Sequence, residues 1–287
     1  MVSAAEKHAA PASQLCVLSQ DGGTEVQVIT ELQESNEQFI LAWAMFAHSF
    51  PNAEIEVRDG LAIGWPDVPL IFYNNIFILE AKDSRDDLAS AVDKAILRSG
   101  GKKCPGMITV CHDLLSKSAK SEAETIFSDR GYATLMATTG MAGEIFPLEA
   151  PGHPDLRMER MEDGKVITEL NCDAYHAPRE LGYASIMDEA LWKNSYAYVG
   201  YIGDRPVATA TTLVSGNTLY LALVATAESV RNKGYGSAVV RYSLQKAYEA
   251  TGFIRTVLHA TVDGYPLYKR MGYEPMAKFT SYAPTQE

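Results

Sequence analysis

The stretch Arg231-Asn232-Lys233-Gly234-Tyr235-Gly236-Ser237-Ala238 decides how this chain is read. Before it lies an apolar run, Leu219 to Thr226. After it, Gly236 to Thr251 places Val239, Val240, Leu244 and Ala247 on one helical face. The order is therefore strand, glycine turn, helix. Gly234 and Gly236 let the backbone approach an anion closely. The first helical turn leaves N–H groups without intrahelical partners, and the helix dipole adds to their positive potential. Such a turn suits phosphate, and Arg231 and Lys233 add local positive charge. Two glycines in mid-domain do not make the dinucleotide fingerprint, and no Gly-Lys-Ser/Thr follows to make a P-loop. On these residues alone, an ordinary helix start with turn glycines remains the competing reading.

Outward from this turn the second half alternates helices and strands. Val166 to Ala174 and Ala184 to Lys193 read as helices. Tyr196–Ile202, Val207–Val214 and Leu219–Ala225 read as strands, joined by turns at Gly203-Asp204 and Ser215-Gly216-Asn217. Thr256–Ala260 is a strand, Gly264–Met271 a helix, and Tyr273–Met276 and Phe279–Ala283 a final pair of strands. The first half runs in similar order. Glu31 to His48 is a helix, and Ile55–Val57, Leu61–Ile63 and Leu70–Leu79 are strands. A helix over Leu88 to Arg98 stops at Gly100-Gly101, Met107–Cys111 is a buried strand, and the helix Ala119 to Asp129 ends at Gly131. Pro147, Pro151 and Pro154 interrupt any regular element between Phe146 and Leu156, which marks a linker. Residues 1–25, rich in Ala, Ser, Gly and Gln, read as a flexible arm. The division expected is an arm at 1–25, a first domain at 26–147 and a second at 155–287.

The segment from Val224 through Gly236 resembles motif A of the GCN5-related N-acetyltransferases (GNAT), whose pattern is Arg/Gln-x-x-Gly-x-Gly/Ala. Leu258-His259-Ala260-Thr261, followed by Gly264-Tyr265-Pro266-Leu267-Tyr268-Lys269-Arg270-Met271-Gly272-Tyr273, is similar to the family's motif B and its Tyr-x-x-x-Gly-Phe/Tyr ending. The resemblance covers about residues 155–285. It implies an α/β fold with a mixed, mostly antiparallel sheet flanked by helices. It also implies acetyl-CoA as cosubstrate, with its pyrophosphate on Arg231, Asn232, Lys233, Gly234, Tyr235, Gly236 and Ser237. The pantetheine arm would pair with Val224, Ala225 and Thr226, and a backbone N–H near Thr226 would polarise the thioester carbonyl, an effect worth ~10²–10³ in rate per donor. Tyr268 falls at the family's general-acid position. A phenol, ionising near ~10, can protonate a departing thiolate whose thiol ionises near ~8.5. Tyr265 and Tyr273 read as packing residues. His259, Glu228, His176 and Glu180 are candidates for the general base, and none is assigned.

The first half reads as a second, degenerate copy of the same unit, giving two GNAT-like domains in tandem. With Arg85 set against Arg231, Leu88 and Ser90 stand for Gly234 and Gly236, and Asp86 and Asp87 for Asn232 and Lys233. Leucine and two carboxylates are wrong for a diphosphate. Phe127-Ser128-Asp129-Arg130-Gly131-Tyr132 aligns with Tyr268 to Tyr273, and Phe127 has no hydroxyl to give.

The chain has 287 residues, 47% of them hydrophobic and 21% charged, which excludes disordered, collagen-like and coiled-coil classes. Its net charge of −11 argues against nucleic acid or an anionic membrane as partner. No apolar run reaches the ~20 residues of a membrane span, and the N-terminus lacks the apolar core of a signal peptide. Cys16, Cys104, Cys111 and Cys172 are scattered, which suggests neither zinc nor disulfides and a cytoplasmic setting. The expected function is transfer of an acyl group to a small-molecule amine or a peptide by a monomer or homodimer, without a metal. Asp173, Glu180, Asp188 and Glu189 make the expected acceptor region acidic, which favours an amine or basic peptide. The alternatives are a non-catalytic CoA-binding or regulatory module, or the same fold using another acyl donor or an O-acceptor.

Overall fold

A computed structural model describes residues 29–144 and 153–285. The arm at 1–25, Cys16 and most of the proline-rich linker lie outside the described residues.

Helix α1 (Glu31–His48) opens on a capping box, with the Gln33 N–H donating to Thr30 Oγ1 at 3.2 Å and the Thr30 N–H to Gln33 Oε1 at 3.0 Å. It is followed by β1 (Glu54–Arg58), β2 (Leu61–Trp65), β3 (Asn75–Ile78), α2 (Arg85–Ser99), β4 (Met107–Cys111), α3 (Lys117–Ser128) and β5 (Tyr132–Glu144). The second half holds β6 (Arg157–Arg160), α4 (Lys165–Ala174), α5 (Arg179–Tyr183), α6 (Glu189–Lys193), β7 (Tyr196–Ile202), β8 (Arg205–Ser215) and β9 (Thr218–Thr226). It ends with α7 (Tyr235–Thr251), β10 (Arg255–Thr261), α8 (Tyr265–Arg270) and β11 (Glu274–Pro284).

The eleven strands of the described residues join in one mixed sheet, ordered β1-β2-β3-β4-β11-β5-β10-β9-β8-β7-β6. The pairs β3·β4 and β9·β10 are parallel, and the other neighbours are antiparallel. From β1 to β5 and from β7 to β11 the chain repeats one order of elements. The two halves then exchange their last strands. β5 pairs with β10 from Arg255↔Glu144 to Thr261↔Thr138, while β11 pairs with β4 from Phe279↔Cys111 to Tyr282↔Ile108. β5 and β11 pair with each other at the centre, from Glu274↔Ala142 to Pro284↔Tyr132. The helices reinforce this exchange. Phe127 of α3 stacks on Tyr282 of β11 with centroids 3.7 Å apart, and Arg255 of β10 donates to Glu34 of α1 at 3.0 Å.

Four details depart from the sequence reading. Within Leu70–Leu79, residues Ile71–Tyr73 form a 3-10 turn before β3. The fully buried Asn74 holds that turn by donating to the Val68 and Pro105 carbonyls, each at 2.8 Å. Of the single helix expected over Ala184–Lys193 only Glu189–Lys193 forms, as α6, and α5 at Arg179–Tyr183 lies ahead of it. Ser185 between them donates to the Leu181 carbonyl at 2.7 Å and accepts from the Leu70 N–H at 2.9 Å, while Asp188 caps α6. The two final strands are one, β11, with a register shift between Pro275 and Ala277. Finally, β5 and β6 carry too little β-branched or aromatic alternation to be read as strands. Gly140 of β5 is explained only by packing, because a Cβ there would run into Ser35 Oγ of α1.

Candidate active site

β9 and β10 pair in parallel only from Leu219↔Thr256 to Leu221↔Leu258. Beyond that point β9 bulges. Ala222 faces Thr211 and Ala225 faces Thr209, so Leu223 and Val224 both stand opposite Ala210. Leu223 takes a left-handed φ of 51°, a strained state for leucine, and its carbonyl accepts from Asn171 Nδ2 of α4 at 3.3 Å. The two strands part, and a cleft of about 1150 Å³ lies between them.

One end of the cleft is the glycine turn. Gly234 has φ 84° and caps α7 with no side-chain hydrogen bond, and no acidic residue occupies the helix's first turn. A Cβ at Gly236 would stand 2.5 Å from Thr226 Oγ1. Asn232 has φ 63°, and Arg231 Nε donates to the Thr226 carbonyl at 3.3 Å. Of the residues selected from sequence, Val224, Ala225, Thr226, Arg231, Asn232, Gly234, Tyr235, Gly236 and Ser237 line the cleft. Lys233 is exposed and is not part of its lining.

Tyr268 of α8 also lines the cleft. Its side chain is buried, its ring meets Tyr273 edge-on at 5.8 Å, and its hydroxyl has no hydrogen-bond partner among the described residues. Burial pushes the phenol well above its usual pKa, so it stays protonated. Tyr273 is fully buried and Tyr265 packs against the core around α7, as expected of packing residues.

His259 of β10 is the one candidate base that reaches the cleft. Its Nδ1 lies 2.9 Å from the Tyr220 hydroxyl and its Nε2 3.3 Å from Ser35 Oγ. Its ring stacks on Phe39 at 3.8 Å. Burial lowers its pKa to about 3, so the ring is neutral at physiological pH with both nitrogens engaged. His176, Glu180 and Glu228 are exposed and line neither the cleft nor the chamber beside it. That chamber, about 120 Å³, opens where α1 crosses the sheet. The acidic residues expected around the acceptor do not line it. Asp173 pairs with Arg179 at 2.5 Å, Glu189 with Lys193 at 2.7 Å, Asp188 caps α6, and Glu180 is exposed.

Sequence reasoning passed over Ser35, Phe39, Phe72 and Met136, which the first half brings to the site, and Tyr220 on β9. The apolar stripe of α1 announces a buried face but not what it covers. The alignment of the two glycine-turn regions also shifts. Ser84 caps α2 as Gly234 caps α7, so Ser84, not Leu88, is the counterpart of Gly234. Leu88 is instead a fully buried core residue one turn into α2.

Residues 165–273 match the acetyltransferase (GNAT) family, and that part of the chain is a GNAT domain. The fold of nearly the whole chain recurs in solved structures. A GCN5-related N-acetyltransferase from Kribbella flavida aligns with a TM-score of 0.62 at 16% identity, over 87% of this chain and 96% of that one. A functionally unknown conserved protein from Staphylococcus epidermidis aligns at 0.59 and 14%, over 84% and 98%. A GCN5-related N-acetyltransferase-like protein from Streptococcus suis aligns at 0.50 and 12%, over 88% and 98%. No curated protein matches the sequence significantly. Among the described residues there is no cluster of three or more His, Cys, Asp or Glu able to hold a metal, and no helix long and apolar enough to cross a membrane.

Proposed function

We propose that the chain is an acetyl-CoA-dependent N-acyltransferase whose chemistry lies in the second half. The observation that carries this reading is the cleft itself, which runs from an uncapped helix N-terminus to an unpartnered, protonated tyrosine. The residues fit the cosubstrate. Gly236 leaves space that a Cβ would close, no carboxylate repels a diphosphate from the first turn of α7, and Arg231 adds positive charge. The edge of β9 from Ala222 to Thr226 has no β10 partner and is open to an extended chain.

Acetyl-CoA supplies the activated acyl group: the amine nitrogen bonds to the acyl carbon as the carbon–sulfur bond breaks. Tyr268 donates its hydroxyl proton to the departing sulfur and is reprotonated by the proton the nitrogen sheds. His259, neutral and engaged at both ring nitrogens, holds the wall beside the reacting centre rather than taking that proton.

Tyr268→Phe tests this. Turnover should fall by ~10²–10⁴ with acetyl-CoA affinity unchanged, measured as CoA thiol release and by calorimetry. Full activity in the variant would remove Tyr268 from the role. Binding of acetyl-CoA with no thiol release across a broad acceptor panel would instead favour a non-catalytic CoA-binding module.

A further inference from the structure

We propose that the small chamber beside the cleft holds the acceptor, and that this acceptor is a weakly basic amine on a compact, uncharged body such as a single substituted ring. The inference rests on the acyl-transfer reading above and names the substrate class of the same site.

The chamber is built across the two halves. Phe39, Trp43, Phe46, Phe72 and Tyr73 of the first half enclose it against Tyr220 of the second. No Asp, Glu, Lys or Arg lines it. A charged body entering it would lose its water and find no counter-charge. Its volume of about 120 Å³ is below the roughly 150 Å³ of a dry cavity that holds a benzene, so it encloses no more than part of a one-ring guest, whose amine extends into the cleft with which the chamber shares Phe72, Tyr175 and His259.

Several of the polar groups on its wall are already engaged. Trp43 Nε1 donates to the Phe72 carbonyl at 2.8 Å, Asn171 Nδ2 to the Ile167 and Leu223 carbonyls, and Tyr220 meets His259. Thr138, Tyr175 and Tyr73 are exceptions, and of the two phenols Tyr73 is the more deeply buried. It is 6% exposed, and its hydroxyl has no hydrogen-bond partner among the described residues. That hydroxyl is free to exchange a hydrogen bond with a polar substituent on the guest. The chamber also lacks a group to hold or deprotonate an ammonium ion: there is no carboxylate, and His259 is engaged at both nitrogens. An amine that is already the free base at neutral pH meets these conditions best.

Full-length protein with acetyl-CoA would be assayed for CoA thiol release with 4-aminophenol, 4-methylaniline, benzylamine, spermidine and a lysine-containing peptide. The two anilines should exceed benzylamine, spermidine and the peptide by at least ~10-fold in kcat/KM. 4-Aminophenol should show a lower KM than 4-methylaniline by about 10-fold, the value of one hydrogen bond. Tyr73→Phe should erase that KM difference, with acetyl-CoA affinity by calorimetry as the check that the fold is intact. Preference for spermidine or the peptide would overturn the inference while leaving acyl transfer standing, as would an unchanged KM difference in Tyr73→Phe. Acetyl-CoA binding with no thiol release for any amine would overturn the acyl-transfer reading and the acceptor assignment together.

Discussion

The two halves share an order of elements and differ where the cleft opens. In the second half the parallel ladder β9·β10 ends at Leu221↔Leu258, and a bulge at Leu223-Val224 turns β9 away. In the first half β3·β4 runs unbroken from Asn75↔Met107 to Ile78↔Val110, and β2·β3 has no bulge. The ladder then resumes at the bridge Lys82↔Leu115, where the Lys82 N–H donates to the Leu114 carbonyl at 3.0 Å and the Ser116 N–H to the Lys82 carbonyl at 2.9 Å. The helices that follow differ in the same sense. α2 is capped by its own Ser84, which accepts from the Asp87 N–H at 3.1 Å, and it carries Asp86 and Asp87 in its first turn. α7 has neither a side-chain cap nor an acid in its first turn. Phe127, opposite Tyr268 in the repeat, is sealed against Tyr282. Topology therefore does not make a cleft. A bulge, a shortened ladder and a bare helix terminus make one.

Separating the halves should have the largest effect. Residues 153–285 expressed alone would leave β10 and β11 without β5 between them, exposing two long edges and the apolar faces they carry. Size-exclusion chromatography and circular dichroism should show aggregation or a lost fold. A stable monomer with full-length kinetics would show that the strand exchange is dispensable.

Next comes the glycine turn. Gly236→Asp places both a Cβ against Thr226 Oγ1 and a carboxylate at the turn, and should weaken acetyl-CoA binding at least ~10²-fold. Converting Ser84 to Gly and Asp86 and Asp87 to Asn in the first half should not create a second site, because the Lys82↔Leu115 bridge still closes that ladder. Calorimetry should return one site per chain before and after. A second site in the variant would mean that helix capping alone separates the halves.

A smaller contrast concerns pH. His259 has its pKa lowered by burial from 6.5 to about 3, and His112, which follows β4, is also lowered by burial. For a group depressed in this way the unfolded chain binds the proton first. Stability is complete above pH 6.5 and is lost as pH falls toward 3. At pH 5 the loss from His259 should be about 2 kcal/mol. His259→Gln should flatten the dependence of Tm on pH between 7 and 5 more than His112→Gln does, and equal slopes would contradict the stronger burial of His259. The smallest effect expected is from Ser84→Ala, which should cost about 1 kcal/mol of stability and leave acetyl-CoA affinity unchanged.

Much of the second half was legible because its signals are local. The hairpin turns at Gly203 and Gly216, the glycines of the turn before α7 and the Pro266 start of α8 each act through their own φ or missing atoms. β7 was read to the residue for the same reason, from a continuous apolar run between turn signals. β5 was not, because Ala, Thr, Met and Gly hold it only through its neighbours β10 and β11.

By itself the sequence determined most of the order of elements in each half, the glycine turn before α7 and the helix that carries Tyr268, since backbone propensity and short-range spacing are properties of neighbouring residues. Tertiary structure alone decided the exchange of β5 and β11, the placement of α1 over the small chamber and the meeting of Ser35, Phe39, Tyr220 and His259. Strand partners, and the groups that share one buried space, are chosen by packing between residues more than two hundred positions apart, as with Ser35 and His259. No local pattern records that choice.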